Sequence, residues 1–167
     1  KGKHCNWQRS GREDHPINCV DWAGASAYCA YKGWRLPSEM EWEVAARGPQ
    51  RPDYPWGILP PNCTRTVMKK GNKGGCGEGA TMAVGSMSED MSWSGAMDMG
   101  GNVREWVSTA YQPYPGGTVD GSMKGMVNRG GSWSMDADAF SASHTRNADS
   151  VDEKRPDLGF RCAISLD

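Results

Sequence analysis

The sequence predicts an α+β domain with two short helices, a small mixed sheet and a large share of irregular chain. Three observations carry this reading. Among 167 residues there are 22 glycines, 10 prolines and 8 tryptophans, a mixture that favours turns around small aromatic cores over a helical bundle or a regular parallel sheet. Two segments in the first fifty residues carry helix start and stop signals, and no periodic segment of that kind follows. The later apolar runs are short and carry glycine bends. The length suits one domain over residues 1–167, large enough for a core of its own.

The first helix starts after His15-Pro16 and the extended stretch Ile17-Asn18-Cys19-Val20. Asp21 can cap it, Trp22, Ala25, Ala27, Tyr28 and Cys29 supply apolar positions, and Gly33 ends it. In the second, Pro37 precedes Ser38, Ser38 and Glu41 form a capping box, and Trp42, Val44, Ala45 and Ala46 continue an apolar face to Gly48. Between Pro49 and Met97 the chain reads as turns and extended pieces, with Thr81 to Val84 as one short strand. Trp106-Val107, Val127 to Trp133 and Leu158 to Ala163 read as further strands.

Charge and composition exclude several classes. A formal charge of -1, with both signs mixed along the chain, gives no electrostatic footprint for nucleic acid or an anionic membrane. Apolar runs fall short of a membrane span, and the opening KGKHCNWQRSG lacks the apolar core of a signal peptide. His4, His15 and His144 are far apart and outside metal-ligand spacing, and neither a nucleophile elbow nor a phosphate loop occurs. Met87, Met91, Met97 and Met99 cluster; thioethers can hold copper(I), but adaptable core packing is the better reading.

Six cysteines stand at 5, 19, 29, 63, 76 and 162. The absence of any CxxC pair argues against a zinc ribbon or a thioredoxin-like site, while the even count suits three disulfides in an extracytoplasmic protein. Sequence alone leaves the pairing open. The polar, Gly-rich run between Cys63 and Cys76 most needs a staple.

The stretch MDMGGNVREWV, Met97 to Val107, concentrates special residues. Gly100 and Gly101 permit unusual backbone angles, Asn102 tolerates a left-handed turn, and Asp98 and Glu105 flank the bend. Such a loop can turn carbonyls inward beside carboxylates, an oxygen shell suited to calcium. The same spacing also suits a glycine turn between two solvated acids.

The words HPINCVDWAGASAYC, GWRLPSEMEWEVAARG, YPWG, DMGGNVREW, NRGGSW and DLGFRCA, in that order, resemble the formylglycine-generating enzyme, or sulfatase-modifying factor, family over residues 15 to 163. The resemblance implies a C-type-lectin-like fold and matches the C-terminal two thirds of the family's domain, without its usual N-terminal part. It implies a Cys29–Cys162 disulfide, which leaves Cys5 with Cys19 and Cys63 with Cys76. It also implies a structural calcium ion held by Asp98, the carbonyls of Gly101 and Val103, and Glu105. The family's two copper-binding cysteines fall at Met135 and Phe140, Ser132 matches an active-site serine, and Arg104 replaces an aromatic residue. Copper is therefore not expected, and neither is oxidation of a substrate cysteine.

The expected function is a non-catalytic, extracytoplasmic domain that binds a protein or glycan. In lectin-like folds, including variable proteins diversified by retroelements, the segment after Trp133 forms the ligand surface. Trp133, Phe140, His144 and Arg146 are the candidate anchors, with Met135, Asp136, Asp138, Ser141, Ser143 and Asn147 as adaptable contacts. Two alternatives remain: a copper-dependent oxidase with a changed active site, and a structural module of a larger surface or kinase-linked protein. The EPN and QPD sugar-binding tripeptides of typical C-type lectins do not occur.

Overall fold

The computed structural model describes residues 2–114, 116, 124–136 and 141–165. Both helices form where their caps place them. Helix α1 spans Trp22–Tyr31, with the Asp21 side chain accepting from the Gly24 N–H. Helix α2 spans Glu39–Arg47, and the Ser38/Glu41 capping box is complete. Each cap satisfies amide donors that have no partner within the helix.

Four strands follow among the described residues: β1 Arg104–Ala110, β2 Met126–Arg129, β3 Arg146–Asp149 and β4 Leu158–Phe160. They form one mixed sheet in the order β3-β2-β1-β4. Strand β2 runs antiparallel to β1 and β3, and β4 runs parallel to β1. The predicted strand over Val127–Trp133 ends at Arg129, because Gly130 turns the chain at φ 82°. That over Leu158–Ala163 ends at Phe160, and Ala163 keeps only an isolated bridge to Arg35. Thr81–Val84 is not a strand: the Asn102 side chain takes the Met82 N–H and carbonyl, each at 3.1 Å, in place of a strand partner. Strand β3 lies inside the segment read as polar loop.

Successive residues of a strand point to opposite faces, so Trp106 and Val107 feed different cores. Trp106 packs with Ala25, Cys29, Leu36 and Leu158 under α1. Val107 packs with Trp42, Ala46, Met99 and Val127 under α2. A third core of Val67, Met87, Val103 and Trp133 lies among the loops. The methionine cluster thus divides: Met87 and Met99 are buried, while Met91 is exposed.

All three disulfides form: Cys5–Cys19, Cys29–Cys162 and Cys63–Cys76. Cys29–Cys162 ties α1 to the chain just past β4, and the other two close short loops. No helix among the described residues is long and apolar enough to cross a membrane.

Candidate functional site

The loop from Met97 to Arg104 is held on every side, though not by the means the glycines suggested. Its left-handed residues are Asp98 (φ 60°) and Asn102 (φ 65°). Gly100 and Gly101 are required for space instead: a Cβ on Gly100 would strike the Trp56 ring, and one on Gly101 would collide with Thr66 Oγ1 and the Val67 carbonyl. Asn102 is the hub. Its N–H donates to the Val67 carbonyl, its carbonyl accepts from the Trp133 N–H, and its amide clasps Met82.

The two flanking acids sit in different surroundings. Glu105 is buried and fully partnered: Arg161 Nε donates to Oε2 at 2.6 Å, Arg161 Nη2 to Oε1 at 2.7 Å, and Trp42 Nε1 to Oε2 at 2.6 Å. Burial works against the Arg161 charge, but Glu105 more than offsets it and holds the guanidinium pKa above its usual value. Asp98 accepts one bond, from the Gly85 N–H at 2.7 Å on Oδ2, while Oδ1 is buried without a partner. Burial raises the Asp98 pKa.

A third acid, Asp90, was not singled out by sequence. It is 0% exposed, and the Thr66 side chain stands beside it within hydrogen-bonding reach. Burial, then the charge of Asp98, pushes its pKa up to about 8. Thr66 Oγ1 is likewise buried. Leaving buried oxygens unpaired is costly, and a hard cation removes that cost. A calcium ion of the kind the loop implies would be held by Asp98, whose Oδ1 is buried without a partner, and the carbonyls of Gly101 and Val103, beside a Glu105 steadied by Arg161. No three His, Cys, Asp or Glu side chains among the described residues stand together as a ready-made cage.

The segment after Trp133 separates into wall and surface. Trp133 is a core residue at 8% exposure; its indole N–H donates to the Pro156 carbonyl at 3.0 Å and its ring packs on His4. Ser141 and Ser143 are buried as well. In this conformation these three side chains lie in the interior and not on the surface. Arg146 pairs through Nε and Nη2 with both oxygens of Glu39, at 2.7 and 2.6 Å, and lies between the rings of Tyr111 and Tyr114. Asn147 is half-buried on β3 opposite Asn128. Asp136 and His144 are exposed. Asp138 and Phe140 lie outside the described residues.

At Met135 the thioether sulfur is 3.9 Å from Arg104 Nη1. Arg104 is 1% exposed, and burial, followed by repulsion from Arg155, lowers its pKa to about 10. Ser132 is buried with its hydroxyl 3.3 Å from that of Ser134. A groove of about 590 Å3 opens beside Glu39, lined by Ser38, Glu39, Met40, Val44, Thr109 and Tyr114 among others. Sequence reading missed it because its walls come from α2, β1 and the chain beyond β1.

Fold and site together define a class: a disulfide-stapled, C-type-lectin-like α+β domain with its glycine-rich acidic loop leading into β1. The chain belongs to the sulfatase-modifying factor family, since residues 1–166 match the Sulfatase-modifying factor enzyme 1-like domain. It is 39% identical over 160 residues to the mouse (Mus musculus) protein named inactive C-alpha-formylglycine-generating enzyme 2, covering 90% of this chain and 49% of that protein. It is 34% identical to the formylglycine-generating enzyme of Streptomyces coelicolor, covering 95% of this chain and 55% of that one. The chain thus spans about half the length of these relatives. Among solved structures, Treponema denticola variable protein 1 superposes with a TM-score of 0.71 at 23% identity, over 95% of this chain and 73% of that one, a likeness of fold.

Proposed function

We propose that this domain is a non-catalytic ligand-binding or display module on a calcium- and disulfide-stabilised scaffold. The observation that carries the reading is Met135. It occupies the position of a family copper-binding cysteine, and its sulfur rests against a buried guanidinium. A thioether beside a cation is a poor substitute for a thiolate that must hold copper. The similarity to a relative named as inactive supports the same reading.

The ligand surface in this account consists of Asp136, His144, the exposed edge of Arg146 and Asn147, and it continues into the groove beside Glu39. Its ligand is a protein or a glycan. Three disulfides persist in an oxidising compartment, which supports an extracytoplasmic location. Screening protein and glycan arrays with the wild type and an Asp136→Ala/His144→Ala/Asn147→Ala variant tests this. A bound ligand that is lost in the variant is the expected result. Ligands that all bind the variant unchanged would place the surface elsewhere.

A further inference from the structure

Arg104 is a buried cation short of acceptors. It is 1% exposed, its Nε has no partner, and its Nη2 reaches the Asn128 carbonyl at 3.4 Å. The carboxylates whose charges act on it are already engaged: Arg155 donates to Asp149 Oδ1 and to Asp157 Oδ1, each at 3.0 Å, and Asn128 Nδ2 donates to Asp149 Oδ2 at 2.8 Å. Among the described residues Nη1 is left with the Met135 sulfur at 3.9 Å, and a thioether is a weak acceptor. A guanidinium buried in this state keeps much of its desolvation cost. Met135 itself is half-buried, within reach of small molecules from solvent. Its N–H donates to the Ser132 carbonyl at 3.2 Å and its carbonyl accepts from the Lys69 N–H at 3.0 Å, so the backbone holds the side chain in front of Arg104.

We propose that Met135 is a methionine-oxidation site whose sulfoxide is received and stabilised by Arg104. The oxidant is hydrogen peroxide. The sulfur lone pair attacks one peroxide oxygen, and the O–O bond breaks as the S–O bond forms. The departing hydroxide takes the proton from the transferred oxygen and leaves as water; sulfur gives up two electrons and peroxide gains them. An oxygen on that sulfur, directed at Nη1, closes the gap to ordinary hydrogen-bond length and supplies the acceptor the guanidinium lacks. Sulfoxide formation ordinarily disrupts apolar packing; here it satisfies a buried charged donor. Because Met135 adjoins Asp136, oxidation also makes the edge of the proposed ligand surface more polar.

Limited hydrogen peroxide treatment of the whole chain, followed by peptide mass mapping of its 10 methionines and thermal unfolding, tests this. The exposed Met40 and Met91 oxidise in every sample and serve as internal references. Met135 is expected to convert to the sulfoxide. The change in melting temperature on treatment should be more favourable in the wild type than in Met135→Leu by about 2 °C or more, and methionine sulfoxide reductase should erase that difference. In an Arg104→Met background the difference should vanish. Without any oxidant, Met135→Gln, whose amide oxygen stands near the place of the sulfoxide oxygen, should melt above Met135→Leu, a comparison that keeps Arg104 intact. The proposal is overturned if Met135 stays unmodified while Met40 and Met91 oxidise, or if treatment costs the wild type as much as Met135→Leu or more. It is equally overturned if the wild-type advantage persists without Arg104, or if Met135→Gln melts no higher than Met135→Leu.

Discussion

Arg161 grips Glu105 through both carboxylate oxygens, and in doing so joins the chain after β4 to the first turn of β1 across their parallel pairing. The same guanidinium donates to the Met97 carbonyl at 2.8 Å, so the acidic loop is fastened at its start and its end by one side chain. Replacing Arg161 by Met would leave the Glu105 charge buried with Trp42 as its remaining donor. Breaking such a pair costs about 3 kcal/mol, the low end of the range because Arg161 keeps some solvent access. Denaturant unfolding of Arg161→Met measures this loss.

The three disulfides should differ in weight. Cys29–Cys162 closes a loop with a separation of 133 residues, and Cys63–Cys76 one of 13. Restriction of the unfolded chain makes the first worth about 5 kcal/mol and the second about 3 kcal/mol. Double alanine variants of each pair, compared by denaturant midpoint, should therefore rank with the Cys29/Cys162 variant as the less stable.

Acid should act on α2 through its cap. Arg35, then the Ser38 N–H, pulls the Glu41 pKa down from 4.5 to about 2. The pKa is lower in the folded state, so the stability it contributes is present above pH 4.5 and is lost as pH falls through that window towards 2. Wild type and Glu41→Gln should differ in melting temperature at neutral pH and converge across that interval. The difference should also shrink with added salt, since both side chains are close to half exposed.

The division of the segment after Trp133 into wall and surface has a direct mutational signature. Trp133→Ala removes a core side chain packed with Val67, Met87 and Val103 and should cost about 3–5 kcal/mol. His144→Ala, at an exposed position, should stay within about 0.5 kcal/mol of wild type. Thermal unfolding of the two single variants checks both values.

Both helices were legible because their caps are written in adjacent residues: Asp21 and Gly33, then Ser38, Glu41 and Gly48. The class of fold was legible from six short words in order. Strand β3 was not, because Arg146-Asn147-Ala148-Asp149 has no apolar alternation; it is half-buried throughout and, among the described residues, pairs only with β2. Trp133 read as a surface anchor because nothing local reveals that Gly74 leaves room for its ring. Asp90 gave no signal either, since its significance comes from Asp98, Thr66 and Glu105 meeting it in space.

The central claim is that this domain has lost the family's oxidation chemistry and keeps the scaffold. The most direct measurement is incubation of the copper-loaded protein with a cysteine-containing peptide under oxygen, with the peptide mass followed over time. With Met135 against Arg104 and no thiolate at that position, the account predicts an unchanged peptide and no stoichiometric copper(I) binding. Conversion of the peptide cysteine to an aldehyde at a rate above the protein-free control would contradict it.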